Sequence, residues 1–253
     1  MLSADVWGGA GVMIMTEKQI KALPLLDPPK TVRIKFRKAG RLQYISHLDL
    51  QRSMSRIIAR AGLPVWYTKG FNPHPKLVFG VPLPVGVESD CELLDLRLDR
   101  DIPNEAVKDM LNAKLTDELC AIEVREAGAR FVDISAADYS LRIKTVGASA
   151  QLADSIKALL TTAPLVIVKK SKSGEKETDI IPMINNVSAE YNGESDIIRL
   201  DMRLACGQVE NLNASVVVGV LKDKLGILSG DPTVEYCNIR RTRFYTADGT
   251  EFC

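Results

Sequence analysis

"TVRIKFRKAGRLQYISHLDLQRSMSRIIARAG" occupies residues 31–62 and changes its period once along its length. Val32, Ile34 and Phe36 alternate with Arg33, Lys35 and Arg37, the pattern of a half-buried strand with a cationic outer face. Beyond Ser46 the apolar residues Leu50, Met54, Ile57, Ile58 and Ala61 recur at helical spacing, while Arg52, Arg56 and Arg60 step by four along another face. Ser46 followed by Asp49 matches a capping box, and Gly62 before Pro64 marks the helix end. Working outward, "VWYT", "KLVFG" and "CELLDLRL" read as strands, residues 104–115 as a helix and residues 121–125 as a strand. Strand, helix, strand, strand, helix, strand is the ferredoxin-like order.

A second series repeats that order. "YSLRIKT" reads as a strand and residues 150–160 as a helix. "LVIVKK" then leads through the turn "SKSGEK" to "ETDIIPMI"; "DIIRLDMRL" is a strand, 214–225 a helix, and "TVEYCNIRRTRFYT" a long final strand. The expected fold is therefore α+β, with two ferredoxin-like domains whose antiparallel sheets carry helices on one face. They span residues 31–132 and 138–253, and residues 1–30, with "GGAG" and Pro-Pro, form a poorly packed N-terminal extension.

A formal net charge of +1 hides a polarity along the chain. Residues 30–76 hold eleven Lys or Arg against the single acid Asp49, and residues 88–126 hold twelve acids against five bases. The five cysteines, Cys91, Cys120, Cys206, Cys237 and Cys253, have no close pair for a redox dithiol or half of a zinc site. Reduced thiols and a cytoplasmic location follow as expectations. No basic residue precedes the short apolar run at the start, and no window is long and apolar enough to span a bilayer, so neither a secretory leader nor a membrane partner is expected.

The helix arginines fit two readings: a merely solvated face, or a surface for a polyanion, since the helix has no acid after Asp49. "KGFNPHPK", residues 69–76, is more unusual. Pro73 and Pro75 restrict their own torsions and those of Asn72 and His74, and Gly70 permits a turn, so His74 is held on a stiff segment between Lys69 and Lys76. Either this is a rigid crossover, or Lys69, Asn72, His74 and Lys76 grip a ligand together with Arg52, Arg56 and Arg60. His47 and His74, the only histidines, are the candidates for acid–base chemistry on a phosphodiester or for metal-assisted hydrolysis, with Ser46, Asp49, Ser89 and Glu92 in support. The spacings of a metal site are absent, and no metal or cofactor is expected. Tyr44, Trp66, Tyr67 and Phe71 lie near the basic residues and suit stacking on bases, with core packing expected for Trp66 and Phe71. Arg240, Arg241 and Arg243 of "RRTR" are expected on a solvated edge strand, and Lys169, Lys170 and Lys172 at a charged hairpin end.

The blocks "SHLD" and "GFNPHPK", in that order, resemble the radical-SAM-linked domain of unknown function, found fused behind a radical SAM domain or as a separate protein. Lys38, Gly40, Ser46, His47, Asp49, Arg52, Arg60, Gly70, Asn72, His74, Lys76, Gly86, Ser89 and Glu92 match its characteristic positions. The resemblance implies a noncatalytic accessory or substrate-binding protein, with a separate radical SAM enzyme as partner and structured RNA as the molecule it faces. The chain lacks the cysteine triad that holds a radical SAM cluster, and "CGQVENLNAS" lacks the Arg-Pro pair of the family pattern. Docking onto a partner protein alone, with no RNA, is the third reading.

Overall fold

The computed structural model describes residues 12–162, 164–171, 174–208 and 210–252. The "GGAG" stretch, Lys172 and the side chains of Lys169 and Lys170 lie outside the described residues, as do the expectations attached to them. The chain is α+β, with a large, mostly antiparallel sheet and few helices. It divides into two compact units, one of residues 1–36, 48–78 and 94–127, the other of residues 37–47, 79–93 and 128–253.

The first unit contains α1 (Glu17–Ala22), β1 (Lys30–Lys38) as far as Phe36, and α2 (His47–Ala61) from Leu48. It continues with β2 (Leu77–Phe79) as far as Val78, the later half of β3 (Val87–Leu98), α3 (Asn104–Asn112) and β4 (Leu119–Glu126). Its strands run in the order β4-β1-β3, with β2 also on β3. Val32, Ile34 and Phe36 are buried as the alternation requires, but the opposite face is not simply cationic. Arg33 is 1% exposed and grips Asp95 with two parallel bonds, Nε to Oδ1 at 2.8 Å and Nη2 to Oδ2 at 2.9 Å. The segment expected to be loosely packed holds a helix with a capping box, Thr16 accepting from the Gln19 amide while the Gln19 side chain accepts from the Thr16 amide. Ile20 is buried, the Leu26 amide donates to the Asp99 carbonyl at 2.7 Å, and Lys30 pairs with Asp101 at 3.0 Å. "VWYT" makes only the isolated bridges Val65↔Leu98 and Tyr67↔Pro75, because Pro64 and Pro75 have no N–H with which to extend a ladder.

The second unit takes the last residues of β1, the earlier half of β3, β5 (Ile134–Lys144), α4 (Ala150–Thr161), β6 (Val166–Ser171) and β7 (Gly174–Asp179). β8 (Ile184–Asn192), β9 (Ile197–Ala205), α5 (Ala214–Leu225), β10 (Tyr236–Thr246) and β11 (Glu251–Phe252) complete it. Its main strand order is β3-β10-β5-β9-β8, with β11 on β10 and a separate β6-β7 hairpin. β10 is parallel to β3 and antiparallel to β5, and β5-β9 and β9-β8 are antiparallel. Along β5, Ala137, Tyr139, Leu141 and Ile143 join Ile156 of α4 and Val217 of α5 in one core. By the period of two, Asp138, Ser140 and Arg142 then face the other way. The segment "ETDIIPMI" is broken at a 3-10 turn, Ile181–Met183, since Pro182 cannot donate and the Asp179 carboxylate accepts from the amides of Leu165 (2.9 Å) and Ile181 (3.1 Å). β8 follows the turn; its "INNVSAEYN" is too polar to signal a strand, which suits its place at the end of the strand order.

Glu235 closes the loop before β10. Its carboxylate accepts from the Thr145 hydroxyl and from the amides of Val146 (2.8 Å) and Gly230, and these bonds hold its pKa below the usual 4.5. A depressed carboxyl pKa contributes stability that is present above the unfolded value and lost as pH falls through the folded one. The urea midpoint should therefore drop on going from about pH 6 to about pH 3.5, and Glu235→Gln should flatten that part of the drop. An unchanged pH profile in the variant would show that the carboxylate is not the linked group.

Candidate nucleic-acid interface

α2 presents its arginines because its period leaves them no alternative. Leu50, Met54 and Ile58 repeat every four residues on the buried side, so Arg52, Arg56 and Arg60, offset by two, are exposed. Arg52 has a distant i,i+3 partner in Asp49 at 3.7 Å, with both side chains more than half exposed, a pair worth little in water. Arg56 and Arg60 make no ion pair with a described residue. The helix stops at Gly62, whose φ of +69° favours glycine.

The stiff loop is in the same unit. The Thr68 amide donates to the His74 carbonyl at 3.0 Å, and the His74 amide donates back to the Thr68 hydroxyl at 3.2 Å, so the loop closes on itself. The His74 ring turns inward over this closure: Nδ1 is 3.0 Å from the Asn72 carbonyl and 3.3 Å from the Thr68 hydroxyl. A bond to a carbonyl requires the proton on Nδ1, which leaves Nε2 as the acceptor of the neutral ring. Gly70, at φ +137°, turns the chain at the tip. Lys69, Asn72, His74 and Lys76 are all exposed. Phe71 is fully exposed, against the expectation of core packing, because the Thr68–His74 closure holds the tip of the loop away from any core. Trp66 is half-buried with Arg97 at 5.5 Å from its ring centroid, and Tyr67 is exposed.

The remaining candidates belong to the second unit. His47 stacks edge-to-face on Phe79 at 5.4 Å between centroids, and Ser46 directly precedes α2. Ser89 is buried and accepts from the Cys91 amide at 3.2 Å. Glu92 is buried against Arg241, which donates to it and, at 2.9 Å, to the Val81 carbonyl. Arg241 is 1% exposed and its guanidinium lies 4.5 Å from the Phe244 centroid, while its Nε has no partner. The "RRTR" strand is thus no solvated edge; β10 is flanked by β3 and β5. Arg240 points to the opposite face, paired with Glu88 at 2.6 Å and Asp90 at 3.5 Å, and its pKa is raised by the bond to Glu88. The period of two carried the missing signal: Ile239 and Arg241 share a face, so a buried Ile239 implies a buried Arg241. Lys38 is buried too, its Nζ 3.3 Å from the Gln43 carbonyl; burial lowers its pKa against the pull of Glu92. Burial pushes the Tyr139 phenol and the Cys206 thiol up, and the Cys237 thiol up to about 12, so none is an activated nucleophile. Among the described residues no group of three or more His, Cys, Asp or Glu is placed to hold a metal, and no helix is long and apolar enough to cross a membrane.

An α+β chain with an exposed cationic helix and loop thus defines the class. Residues 31–214 match the model of DUF2344, described as an uncharacterized protein conserved in bacteria, and the chain belongs to that family. No curated protein matches the sequence. Solved structures to which it is similar include DyPB from Rhodococcus jostii RHA1, at 11% identity over 83% of this chain and 89% of that one with a TM-score of 0.21. A DypB variant in complex with manganese is similar at 10% identity over 85% and 93% of the two chains, with a TM-score of 0.20. Superpositions this poor carry no argument about fold or activity.

Replacing Glu92 by Gln leaves Arg241 buried without its counter-charge. The expected loss is about 3–5 kcal/mol of unfolding free energy, read by chemical denaturation. A loss under about 1 kcal/mol would mean that the cation is compensated elsewhere.

Proposed function

We propose that the chain is a noncatalytic accessory protein that presents the α2 and loop surface to RNA on behalf of a separate radical SAM enzyme. The single observation that supports an RNA-facing surface best is Phe71, fully exposed at the tip of a stiff loop between the exposed cations Lys69 and Lys76. A stacking ring beside flexible cations suits single-stranded nucleic acid, because every base has a π-face and every nucleotide a phosphate. Arg52, Arg56 and Arg60 supply contacts indifferent to sequence. The radical SAM partner rests on the resemblance of "SHLD" and "GFNPHPK". Two ferredoxin-like domains belong to the same reading, supported by the order β10-β5-β9-β8, in which the first and third strands of the series are the central pair.

Fluorescence anisotropy with a single-stranded and a hairpin RNA, over a salt series, tests this. Log affinity should fall linearly with log salt, and replacing Arg52, Arg56 and Arg60 by Gln should make the slope shallower by about 0.7 for each single-strand phosphate that is no longer neutralised. Phe71→Ala should cost about 1–3 kcal/mol of single-strand affinity at unchanged thermal stability. Absence of binding to either RNA at low salt would sink the RNA reading, and failure to co-purify a cluster-binding protein from the native host would count against the partner.

A further inference from the structure

The face of the second unit's sheet opposite α4 and α5 carries an open cavity of about 1050 Å³ with an arrangement of charge that folding does not explain. Its floor is a row across four strands, Asn238 of β10, Arg142 of β5, Arg199 of β9 and Glu190 of β8, each opposite the next in register. Arg142 and Arg199 are therefore direct cross-strand neighbours with like charge, a destabilising pairing. The other charges in the cavity are occupied or distant. Arg240 is held by Glu88 and Asp90, Asp90 also takes Arg37 at 3.0 Å, and Arg199 leans on Asp201 at 2.7 Å along its own strand. The Arg142 side chain is exposed and makes no ion pair or hydrogen bond with any described residue, and Glu190, on the far side of Arg199, is not its cross-strand neighbour. Next to Arg142 the wall offers two hydrogen-bonding groups, Asn238 opposite it on β10 and Ser140 two residues back along β5, and no acid directly opposes it on either neighbouring strand.

We propose that this cavity is a second binding site, for the phosphate group of a small molecule, with Arg142 as its principal contact, Arg199 as the second guanidinium, and Asn238 and Ser140 as the neutral donors. An unpaired guanidinium beside another is unfavourable until an anion lies between them, and phosphate oxygens match the planar fork of Arg. The repulsion is the signature: such a pair weakens the empty protein and strengthens the occupied one.

Thermal unfolding of the full chain with and without inorganic pyrophosphate tests the site, using Arg142→Gln and, as a control for loss of one surface charge, Lys157→Gln on the exposed side of α4. Pyrophosphate should raise the wild-type melting temperature saturably, and the Lys157→Gln protein should respond in the same way. The Arg142→Gln protein should melt at or above the wild-type temperature without pyrophosphate and lose most of the rise with it. The proposal is overturned if the wild type does not respond, if Arg142→Gln responds as fully as wild type, or if Lys157→Gln loses the response equally. None of these outcomes depends on RNA binding by α2, so the two surfaces are judged separately.

Discussion

Arg241 is a permanent cation 1% exposed to water, and the strands around it are arranged so that this is tolerable. Removing a guanidinium from water costs several kcal/mol, and the return depends on geometry. Glu92 of β3 supplies the counter-charge across a sequence separation of 149 residues, the Val81 carbonyl accepts a second bond, and the Phe244 ring covers the plane. A slip of one residue in the parallel register Arg241↔Ser89 would bring Arg240 or Thr242 to this place and take Arg240 from Glu88 and Asp90. The two neighbouring arginines thus serve opposite faces of one strand, and each meets its carboxylate in only one register. Lys38 adds a second buried cation beside the same carboxylate, which makes Glu92 the centre of the arrangement.

Part of the charge that looks like a surface property in the sequence is consumed inside the units. The basic stretch around β1 and the acidic stretch along β3 and beyond resemble opposite poles of a docking surface. In each unit they instead meet their own complements: Lys30 with Asp101 and Arg33 with Asp95 in the first, Arg37 with Asp90 in the second. These pairs take Lys30, Arg33 and Arg37, with Asp101, Asp95 and Asp90, out of any docking surface built on those two segments. The cations of that stretch left over are those of α2 and of the stiff loop, together with the half-buried Lys35 and the exposed Arg41.

Elements with a clean period were legible. α2 begins at His47 and ends before Gly62 as its spacing requires, and α4, α5 and β9 lie within a residue or so of where their patterns put them. The errors share a cause, which is that periodicity reports which face is apolar and not what lies opposite it. Arg33 and Arg241 are polar residues on buried positions whose partners, Asp95 and Glu92, are far away in sequence. β8 carries too few apolar residues to announce itself, and its strand state is imposed by β9. In the site, the exposure of the arginines was legible from spacing, but that of Phe71 was not. An aromatic in a proline-bound loop reads as an anchor until the Thr68–His74 closure is known.

That closure also bears on what such a loop can recognise. A fully exposed phenylalanine leaves apolar area in water, and the loop does not need the ring, since Thr68, His74 and the prolines already fix the backbone. Because the tip is ordered beforehand, little entropy is lost when it meets a partner, whereas the long side chains of Arg56 and Arg60 must be immobilised on contact. The two parts therefore select differently under the RNA reading. The helix arginines accept any run of phosphates, single or double stranded, but Phe71 can stack only on a base not already sandwiched between its neighbours. A surface that couples them favours RNA in which an unstacked base lies beside a continuous backbone, such as a loop or bulge next to a stem, and it would do so through local structure with no need to read a sequence.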